Sequence, residues 1–525
     1  MTKVIRQIKN YFFPPFSSKK NIIQGHKKLK KNKKEKLIRS LKNDLSTLKV
    51  IETSSKSSIF ELQIRQFLIS RLLGISFERA LLGYVGSGRK FFLYPLPKPW
   101  RSKFYDYNIS ISPFSGLYYY SYCISWFIYG LVSTLGLFAE SLKNSYINPV
   151  KKHNHFSFFV NLNDLNFASY QNQSLINNFI DEGFFRDNEI IFHDNKSSIK
   201  HTYNGHQIDP LRFPFLLQLS FFDHVEIFLK LSILLFNSVV TAFFGKTQNL
   251  LMFKFLSEEI FAEKSFQKKC PNFIFFHNTD YCFKPLWVYS AEKYGSISIL
   301  YYYSSNIISF DNFDHVGIAT MNWKKILVWS NGQKKYLEKA LNRNTSFEIR
   351  PPIKFFYHKT KEDPRSYFDK NKKNILIFDV QPQRLLALTT LGFENDYYSY
   401  QNSKKFINDI VALKNQNNNF NLIIKRKRES ILADRRYLNL IKAYSSDNSL
   451  IEADTIHAPE DLILYSDIVI SMPYTSTALI AQSQKKPSVF YDSTGMLFDS
   501  PYNDLPIISS IKSLEDWVNK VIDSK

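Results

Sequence analysis

The chain has 525 residues, of which 44% are hydrophobic and 22% are charged, and its 16 glycines and 20 prolines are few for that length. We expect about two to four domains, and this composition excludes collagen-like, low-complexity and fully disordered proteins. Cys123, Cys270 and Cys282 show neither CxxC nor zinc-type spacing. The chain is therefore expected to be reduced and intracellular, without a disulfide framework or a thiolate metal site.

Positive charge is concentrated near the start of the chain. The formal net charge is +23, and residues 1–42 carry 14 lysines and arginines against one acidic residue, Glu35. Such a segment attracts polyanions, either nucleic acid or anionic lipid, although a solvated tail without a specific partner is also compatible with the pattern. We expect residues 1–54 to form a basic arm that is partly disordered or lies on a membrane surface.

A long uncharged segment follows. No charged residue occurs from Tyr107 to Ala139, and Ser115–Phe138 is long enough to cross a bilayer. Its many tyrosine and serine hydroxyls favour a helix that lies in the membrane interface, with contacts from residues such as Trp126 and Phe127, over a true span or a buried core helix. A second apolar stretch, Leu231–Gly245, is too short to span and is expected in the core.

The first half of the chain alternates strand and helix patterns. The predicted strands are Arg89–Pro97, a short run from Asn108, Phe156–Val160, Glu189–His193, Phe273–Phe276, Ile297–Tyr303 and Ile326–Trp329. The predicted helices are Trp100–Tyr107, Ser174–Gly183, Lys284–Tyr294 and Gln333–Leu341. Strands and helices alternating at this spacing predict βαβ units and a parallel sheet. Residues 55–357 are therefore expected to form an N-terminal Rossmann-like domain.

The second half repeats the alternation after a polar stretch, 358–373, which we expect to be a linker. The predicted strands are Ile375–Val380, Phe420–Ile424, Ser449–Glu452, Asp467–Met472 and Pro487–Tyr491. The predicted helices are Ser403–Lys414, Arg435–Tyr444, Pro459–Tyr465, Thr477–Gln484 and Leu514–Ile522. Residues 374–525 are thus expected to form a second doubly wound α/β domain.

Hydroxyl side chains cluster where one of these strands meets its helix. Ser471, Thr475, Ser476 and Thr477 lie in and after the loop that follows the strand Asp467–Met472. Ligands of open α/β sheets bind beyond the carboxyl ends of strands, and a helix N-terminus there attracts anions. These hydroxyls can either cap the helix or donate to a phosphate.

A basic cluster follows another strand of the same predicted sheet. Lys425, Arg426 and Lys427 come directly after Phe420–Ile424. Parallel strands end at one edge of a sheet, so this cluster and the hydroxyl loop are predicted to hold a phosphate or diphosphate together without a metal. His457 is expected on the same rim. The alternatives are a solvated basic loop and an exposed histidine.

Ser471–Ser476 contains Pro473-Tyr474-Thr475-Ser476, which resembles the PFTS motif of bacterial polysaccharide-biosynthesis proteins, with tyrosine in place of phenylalanine. More broadly, the chain is similar to metal-independent glycosyltransferases of the two-Rossmann (GT-B) type. This resemblance implies that the C-terminal domain holds a nucleotide-sugar donor and the N-terminal domain an acceptor, with no further cofactor. It assigns a donor-binding role to the following residues: Lys425, Arg426, Lys427, His457, Ser471, Pro473, Thr475, Ser476 and Thr477.

An inverting transferase also needs a base for the acceptor hydroxyl. The candidates are His277 and Asp280 after a strand of the N-terminal half, and Asp379 after the first strand of the C-terminal half. Each of them can instead be a helix cap or a satisfied polar group.

The expected function is transfer of a sugar to a lipid-linked or oligosaccharide acceptor in surface or capsular polysaccharide synthesis. The expected location is the inner face of the plasma membrane, where an anionic membrane surface would be a partner. Three alternatives remain: a CDP-alcohol polyol-phosphate transferase of the same architecture, a non-enzymatic nucleic-acid-binding protein that uses the basic arm, and an inactive GT-B-like scaffold.

Overall fold

The computed structural model of the chain describes most of both halves. The described residues are 19–28, 31–48, 58–147, 158–161, 190–193, 201–203, 206–209, 219–277, 283–302, 318–341, 345–350, 352, 363–382, 396–416, 419–426, 433–497 and 505–523. The predicted helix Ser174–Gly183 lies outside them.

The described strands form two sheets. The eight strands of sheet 1 are β1 (Phe158–Asn161), β2 (Ile190–His193), β3 (His201–Tyr203), β4 (His206–Asp209), β5 (Phe273–His277), β6 (Ile297–Tyr301), β7 (Lys325–Val328) and β8 (Ser346–Ile349). Their order is β3-β4-β2-β1-β5-β6-β7-β8, and all neighbours are parallel except the β3–β4 hairpin. The parallel part of sheet 1 confirms the Rossmann-like fold class predicted for this half, whereas the edge hairpin was not predicted.

Sheet 2 lies in the second half of the chain. Its six strands are β9 (Lys373–Phe378), β10 (Phe420–Lys425), β11 (Ile451–Ala453), β12 (Ile468–Ser471), β13 (Ser488–Tyr491) and β14 (Ile507–Ile508). They are all parallel, in the order β11-β10-β9-β12-β13-β14. Counted within this sheet the order is 3-2-1-4-5-6, the Rossmann order, so the direction of strand addition reverses between β9 and β12. Ligands of such sheets bind at the carboxyl ends of the two strands beside the reversal.

Helices cover both faces of sheet 2. Their bounds are α11 (Tyr400–Gln416), α12 (Arg435–Ser446), α13 (Pro459–Tyr465), α14 (Ser476–Ser483) and α15 (Ile511–Asp523). Along β9, Ile375 and Ile377 belong to one buried cluster and Leu376 and Phe378 to another, because successive strand residues point to opposite faces. The second of these clusters also contains side chains of sheet 1, such as Tyr301. Every strand and helix predicted for this half is confirmed within a few residues.

Sheet 1 is covered by helices from before, between and after its strands. These helices are α3 (Ser58–Leu72), α4 (Ile75–Ser87), α5 (Lys98–Lys103), α6 (Ser115–Leu142), α7 (Phe221–Phe243), α8 (Gln248–Lys268), α9 (Leu286–Lys293) and α10 (Asn331–Leu341). The strand predicted over Arg89–Pro97 is wrong: only one isolated bridge forms there, between Phe92 and Ile111. This segment contains two prolines, which lack the donor that a strand ladder needs.

The apolar stretch Leu231–Gly245 does not lie in the core as expected. It forms the second half of α7, where Ile233 and Phe236 are 60% and 67% exposed. The core position is taken by α8, which packs against both α6 and α7 and buries its own apolar residues. Helix α7 therefore remains outside the core on one side.

Part of the predicted basic arm is folded. The described part contains two helices, α1 (Lys19–Lys28) and α2 (Lys31–Thr47), and Ile38, Leu41 and Leu45 of α2 are buried in a cluster with residues of α3 and α4. These three side chains recur at helical spacing, which gives α2 an apolar side despite its many lysines. The contact of residues 1–54 with a membrane surface stays a prediction.

Helix α1 approaches α4 closely through two glycines. A Cβ added to Gly25 would overlap the carbonyl oxygen of Leu82, and one added to Gly86 would overlap that of Asn21. The Lys28 ammonium also donates to the Val85 and Gly86 carbonyls at 3.4 Å. The two helices thus contact backbone to backbone, which only glycine allows.

We predict that Gly86→Ala separates α1 from α4 and lowers the free energy of unfolding by roughly 1–3 kcal/mol, the usual cost of overpacking. Thermal unfolding and the rate of trypsin cleavage after Lys27 and Lys28 measure the effect. Gly136→Ala in α6 is the matched control, because an added Cβ has no neighbour within 4 Å there. Unchanged stability and cleavage in Gly86→Ala would show that α1 does not pack on α4.

Candidate functional site

The candidate site lies at the carboxyl edge of sheet 2. Strand β9 is flanked by β10 and β12, and Phe378 of β9 is in register with both Lys425 and Ser471. With neighbouring strands about 4.8 Å apart, the Lys425 and Ser471 backbones are roughly 10 Å from each other. The structure therefore brings the basic cluster and the hydroxyl loop to one edge, with Asp379 between them.

The hydroxyl loop, residues 472–475, is held by hydrogen bonds to β9 and to Tyr398. The Met472 amide donates to the Phe378 carbonyl at 2.8 Å, and the Tyr398 hydroxyl donates to the Pro473 carbonyl at 2.9 Å. Tyr474 takes a left-handed backbone conformation with φ of 63°, which is costly for a residue other than glycine. Its buried ring packs near Phe490, with 6.1 Å between ring centroids, and this packing holds the strained turn in place.

The N-terminus of α14 lacks the side-chain hydrogen bond that an N-cap threonine usually makes. Thr475 is the N-cap residue, yet its side chain makes no capping hydrogen bond within the described chain. Its hydroxyl donates instead to the Met472 carbonyl at 2.8 Å. The Thr477 hydroxyl lies 3.4 Å from that of Ser471 and 3.5 Å from that of Thr475. Hydroxyls and the positive end of the helix dipole thus meet at one point.

Asp379 is buried directly after β9. The Tyr437 hydroxyl of α12 donates to its Oδ2, while Oδ1 has no hydrogen-bond partner among the described residues. Burial raises the pKa of this carboxyl to about 6, and the hydrogen bond from Tyr437 and the nearby charge of Arg426 oppose the shift only in part. A carboxyl with such a pKa is suited to accept a proton near neutral pH.

The basic residues are engaged within the protein. Lys425 is buried, and its ammonium donates to the carbonyls of Arg426 and Thr455 at 3.3 and 3.4 Å. Burial lowers the pKa of Lys425 to about 8, against the opposing effect of Glu460 and Asp454. Arg426 forms an ion pair with Glu452 of β11. Lys425 therefore supplies a mostly charged cation at neutral pH, whereas the charge of Arg426 is partly neutralised.

The other residues predicted for the site lie in different parts of the structure. His457 is buried rather than exposed, and its ring meets the Tyr367 ring edge to face with centroids 5.4 Å apart. Lys427 and Asp280 lie outside the described residues. His277 ends β5 in sheet 1, and that strand flanks the reversal of strand order between β1 and β5. Ser476 begins α14 and is half-buried.

Sequence reasoning missed several side chains that support the site. Tyr437 holds Asp379, Tyr398 holds the loop at Pro473, and Glu452 pairs with Arg426. Tyr437 lies on an amphipathic helix, where a tyrosine is indistinguishable from an ordinary core residue in the sequence. A strand-end position is the only signal that could have singled out Glu452.

The described residues contain no group of three or more histidine, cysteine, aspartate or glutamate side chains that could hold a metal ion. The anion-attracting groups found there are hydroxyls, helix amides and a lysine. Metal independence remains a prediction.

Two successive Rossmann-like sheets, the second with polar groups at its strand-order reversal, define an α/β protein of the two-Rossmann, GT-B-like class. The family model for polysaccharide biosynthesis PFTS motif proteins matches residues 235–518. The chain belongs to this family. The matched region includes sheet 2 and the Pro473–Ser476 motif, which confirms the family resemblance. No curated protein matches the sequence.

Several solved structures share the general layout at low similarity. S. aureus MnaA with UDP has a TM-score of 0.36 at 10% identity, covering 70% of this chain and 88% of that one. Anabaena HepE with UDP and glucose has a TM-score of 0.37 at 10% identity, covering 70% and 90%. The wall teichoic acid polymerase TagF has a TM-score of 0.36 at 10% identity, covering 76% and 90%. At this degree of similarity, the ligands of this chain must be argued from its own residues.

The raised pKa of Asp379 predicts a specific pH dependence of stability. The folded-state pKa, about 6, lies above the ordinary value of 3.8, so the folded protein holds this proton more tightly than the unfolded chain. The carboxyl therefore destabilises the fold increasingly from about pH 4 to pH 6 and by a constant amount above. The melting temperature of wild type minus that of Asp379→Asn should fall across this interval and then level off. A difference that does not change with pH would show that the carboxyl has an ordinary pKa.

Proposed function

We propose that the chain is a glycosyltransferase of surface or capsular polysaccharide synthesis that uses a nucleotide-sugar donor. The observation that carries the proposal is the presence of three groups along one edge of sheet 2, at and beside its strand-order reversal. These groups are the N-terminus of α14, the hydroxyls of Ser471, Thr475 and Thr477, and the buried Lys425 cation. Membership of a polysaccharide-biosynthesis family supports the same function.

The donor diphosphate would bind at the hydroxyl loop. Amides at a helix N-terminus and adjacent hydroxyls donate to phosphate oxygens, and the helix dipole favours the negative charge. Thr475 and Ser476 stand at this point, and Lys425 and Arg426 lie two strands away on the same edge. His457 and Lys427 are the further donor-binding candidates of this rim.

Glycosyl transfer leaves negative charge on the departing nucleoside diphosphate. Fixed donors that stabilise such charge are each worth about 10²–10³ in rate. Here the α14 amides, the Thr475 and Ser476 hydroxyls and the Lys425 ammonium would neutralise the leaving group, so that the reaction needs no metal.

The proposed reaction inverts the configuration of the sugar, with a carboxylate or imidazole as base. Asp379 has a buried carboxyl with a pKa of about 6, which is suited to deprotonate a hydroxyl near neutral pH. His277 and Asp280, at and after the end of β5, are the alternative bases from the N-terminal domain. A lipid-linked or oligosaccharide acceptor would bind to that domain, at the inner face of the plasma membrane.

A calorimetric panel of CMP, CDP, UDP and GDP tests the donor site. We expect one nucleotide to bind wild type, and Thr475→Ala/Ser476→Ala to weaken it roughly tenfold, about 1.4 kcal/mol. Ser483→Ala is the matched control, because Ser483 lies at the opposite end of α14 and its hydroxyl donates to the Ile480 carbonyl. Failure of all four nucleotides to bind at millimolar concentration, or equal binding by the double variant, would contradict the proposal.

The lysine of the site gives a second prediction. Because the pKa of Lys425 is about 8, its charge decreases as the pH rises from 7 to 9. The affinity of wild type for the bound nucleoside diphosphate should fall over this range, whereas Lys425→Met should bind roughly tenfold more weakly at pH 7 and vary less with pH. Lys442→Met on the exposed side of α12 serves as control. Identical pH profiles for wild type and Lys425→Met would exclude a role for Lys425 in binding phosphate.

A further inference from the structure

Helices α6 and α7 expose one side to solvent, and this side is strongly apolar. We call it the apolar face and define it by Leu117, Ile128 and Leu135 of α6 and Phe228, Ile233 and Phe236 of α7. Each of these side chains is more than half exposed. Both helices are long and apolar enough to cross a membrane by length and composition, as Ser115–Tyr146 and Phe221–Phe243.

The two helices that carry the apolar face lie side by side. Residues 117, 128 and 135 are spaced by 11 and 7, which places them on one side of α6. The Tyr120 hydroxyl donates to the Ala242 carbonyl at 3.0 Å, and Ser141 lies 3.1 Å from His224. The start of α6 therefore contacts the end of α7, and the end of α6 contacts the start of α7. The two helices run antiparallel to each other.

The exposed apolar surface of α7 and Phe244, the residue that follows it, exceeds what a soluble monomer usually exposes. The six phenylalanines between residues 221 and 244 are each 59–84% exposed. Together they present on the order of 800 Å² at about 200 Å² per ring. The largest apolar patch on a monomer is commonly about 300–600 Å², and larger patches mark an interaction surface.

The inner sides of both helices are occupied by protein. Helix α8 packs against both, and it contains the buried ion pair between Lys254 and Glu258. Trp126 and Phe127 of α6 also point inward, against Phe67 and Phe253. Lipid can therefore not surround α6 and α7, and only their outer side is available to it. This corrects the expectation that Trp126 and Phe127 make the membrane contacts.

Positive charge borders the apolar face, whereas its centre on α6 is uncharged. Lys143 follows α6, Lys246 comes shortly after α7, and both are exposed. The Arg101 guanidinium lies beside Gly116 at the start of α6. The basic helix α2 adjoins the same end, where the Ser40 and Tyr107 hydroxyls are 2.8 Å apart. An apolar centre with a basic border complements an anionic lipid monolayer, with acyl chains at the centre and headgroups at the border.

We propose that the apolar face inserts into one leaflet of an anionic bilayer, so that α6 and α7 lie in the plane of the membrane and do not cross it. The charge distribution favours lipid over a second protein, because Lys143, Lys246 and Arg101 stand at the ends of the two helices and the lysine within α7, Lys230, is paired with Glu226. This proposal does not depend on the nucleotide site of sheet 2.

Vesicle flotation of the full chain tests the proposal. Vesicles of phosphatidylethanolamine with phosphatidylglycerol should bind wild type, and Phe228→Ser/Ile233→Ser/Phe236→Ser should reduce the bound fraction at least roughly tenfold. The matched control is Ile456→Ser/Leu464→Ser/Met496→Ser, three exposed apolar residues of the sheet 2 domain. This control should bind as wild type. Melting temperatures of both triple variants close to that of wild type exclude loss of folding as the cause.

Several outcomes would overturn the proposal. One is equal flotation of wild type and the face variant, and another is equal loss in the control variant. A third is a wild-type dimer in solution that the face variant converts to a monomer while flotation stays unchanged, since the face would then bind a second copy. Loss of wild-type flotation at high salt, together with unchanged flotation of the face variant at low salt, would show that charge alone recruits the protein.

Discussion

The parallel pairing of β9 with β10 on one side and β12 on the other is the constraint on which the candidate site depends. Because Lys425, Phe378 and Ser471 stand in register, the ends of these strands meet at one edge. Residues that are nearly 100 positions apart in the chain thereby share a surface. Any slip of this register by one residue would turn Lys425 and Ser471 to the opposite face of the sheet and disperse the site.

The edge combines groups that attract an anion with a buried carboxyl that resists ionisation. Burial lowers the pKa of Lys425 and raises that of Asp379, so in both cases the low-dielectric surroundings disfavour charge. Tyr437 and Glu452 hold Asp379 and Arg426 from the neighbouring elements α12 and β11. The negative charge of a bound diphosphate would favour the charged form of Lys425. Binding would therefore be linked to the protonation of this lysine. The apolar face on α6 and α7 is a separate surface, which we propose brings the protein to a membrane.

Local patterns in the sequence predicted the second half of the fold well. The helix Pro459–Tyr465 has its predicted bounds, and the strand before the hydroxyl loop is only one residue shorter at each end than predicted. In this half, strand hydrophobicity, helix periodicity and turn residues agree with one another. The sequence did not reveal that α7 stays outside the core, because α7 is more apolar than the core helix α8, and only the packing of α8 decides which of them is buried. Likewise, the packed part of the N-terminal basic segment depends on a glycine contact between α1 and α4, and no local pattern encodes such a contact. The Tyr437 contact with Asp379 joins residues 58 positions apart and has no local signal either.

We propose that a nucleoside diphosphate binds at the strand-order reversal of sheet 2. A crystal structure of the full chain with the tightest-binding nucleotide of the calorimetric panel tests this binding site. We expect phosphate density within hydrogen-bond distance of the first amides of α14 and the Thr475 or Ser476 hydroxyl, between the ends of β9 and β12. Phosphate density at the edge of sheet 1, beyond β1 and β5, would contradict this site and assign the donor to the N-terminal domain.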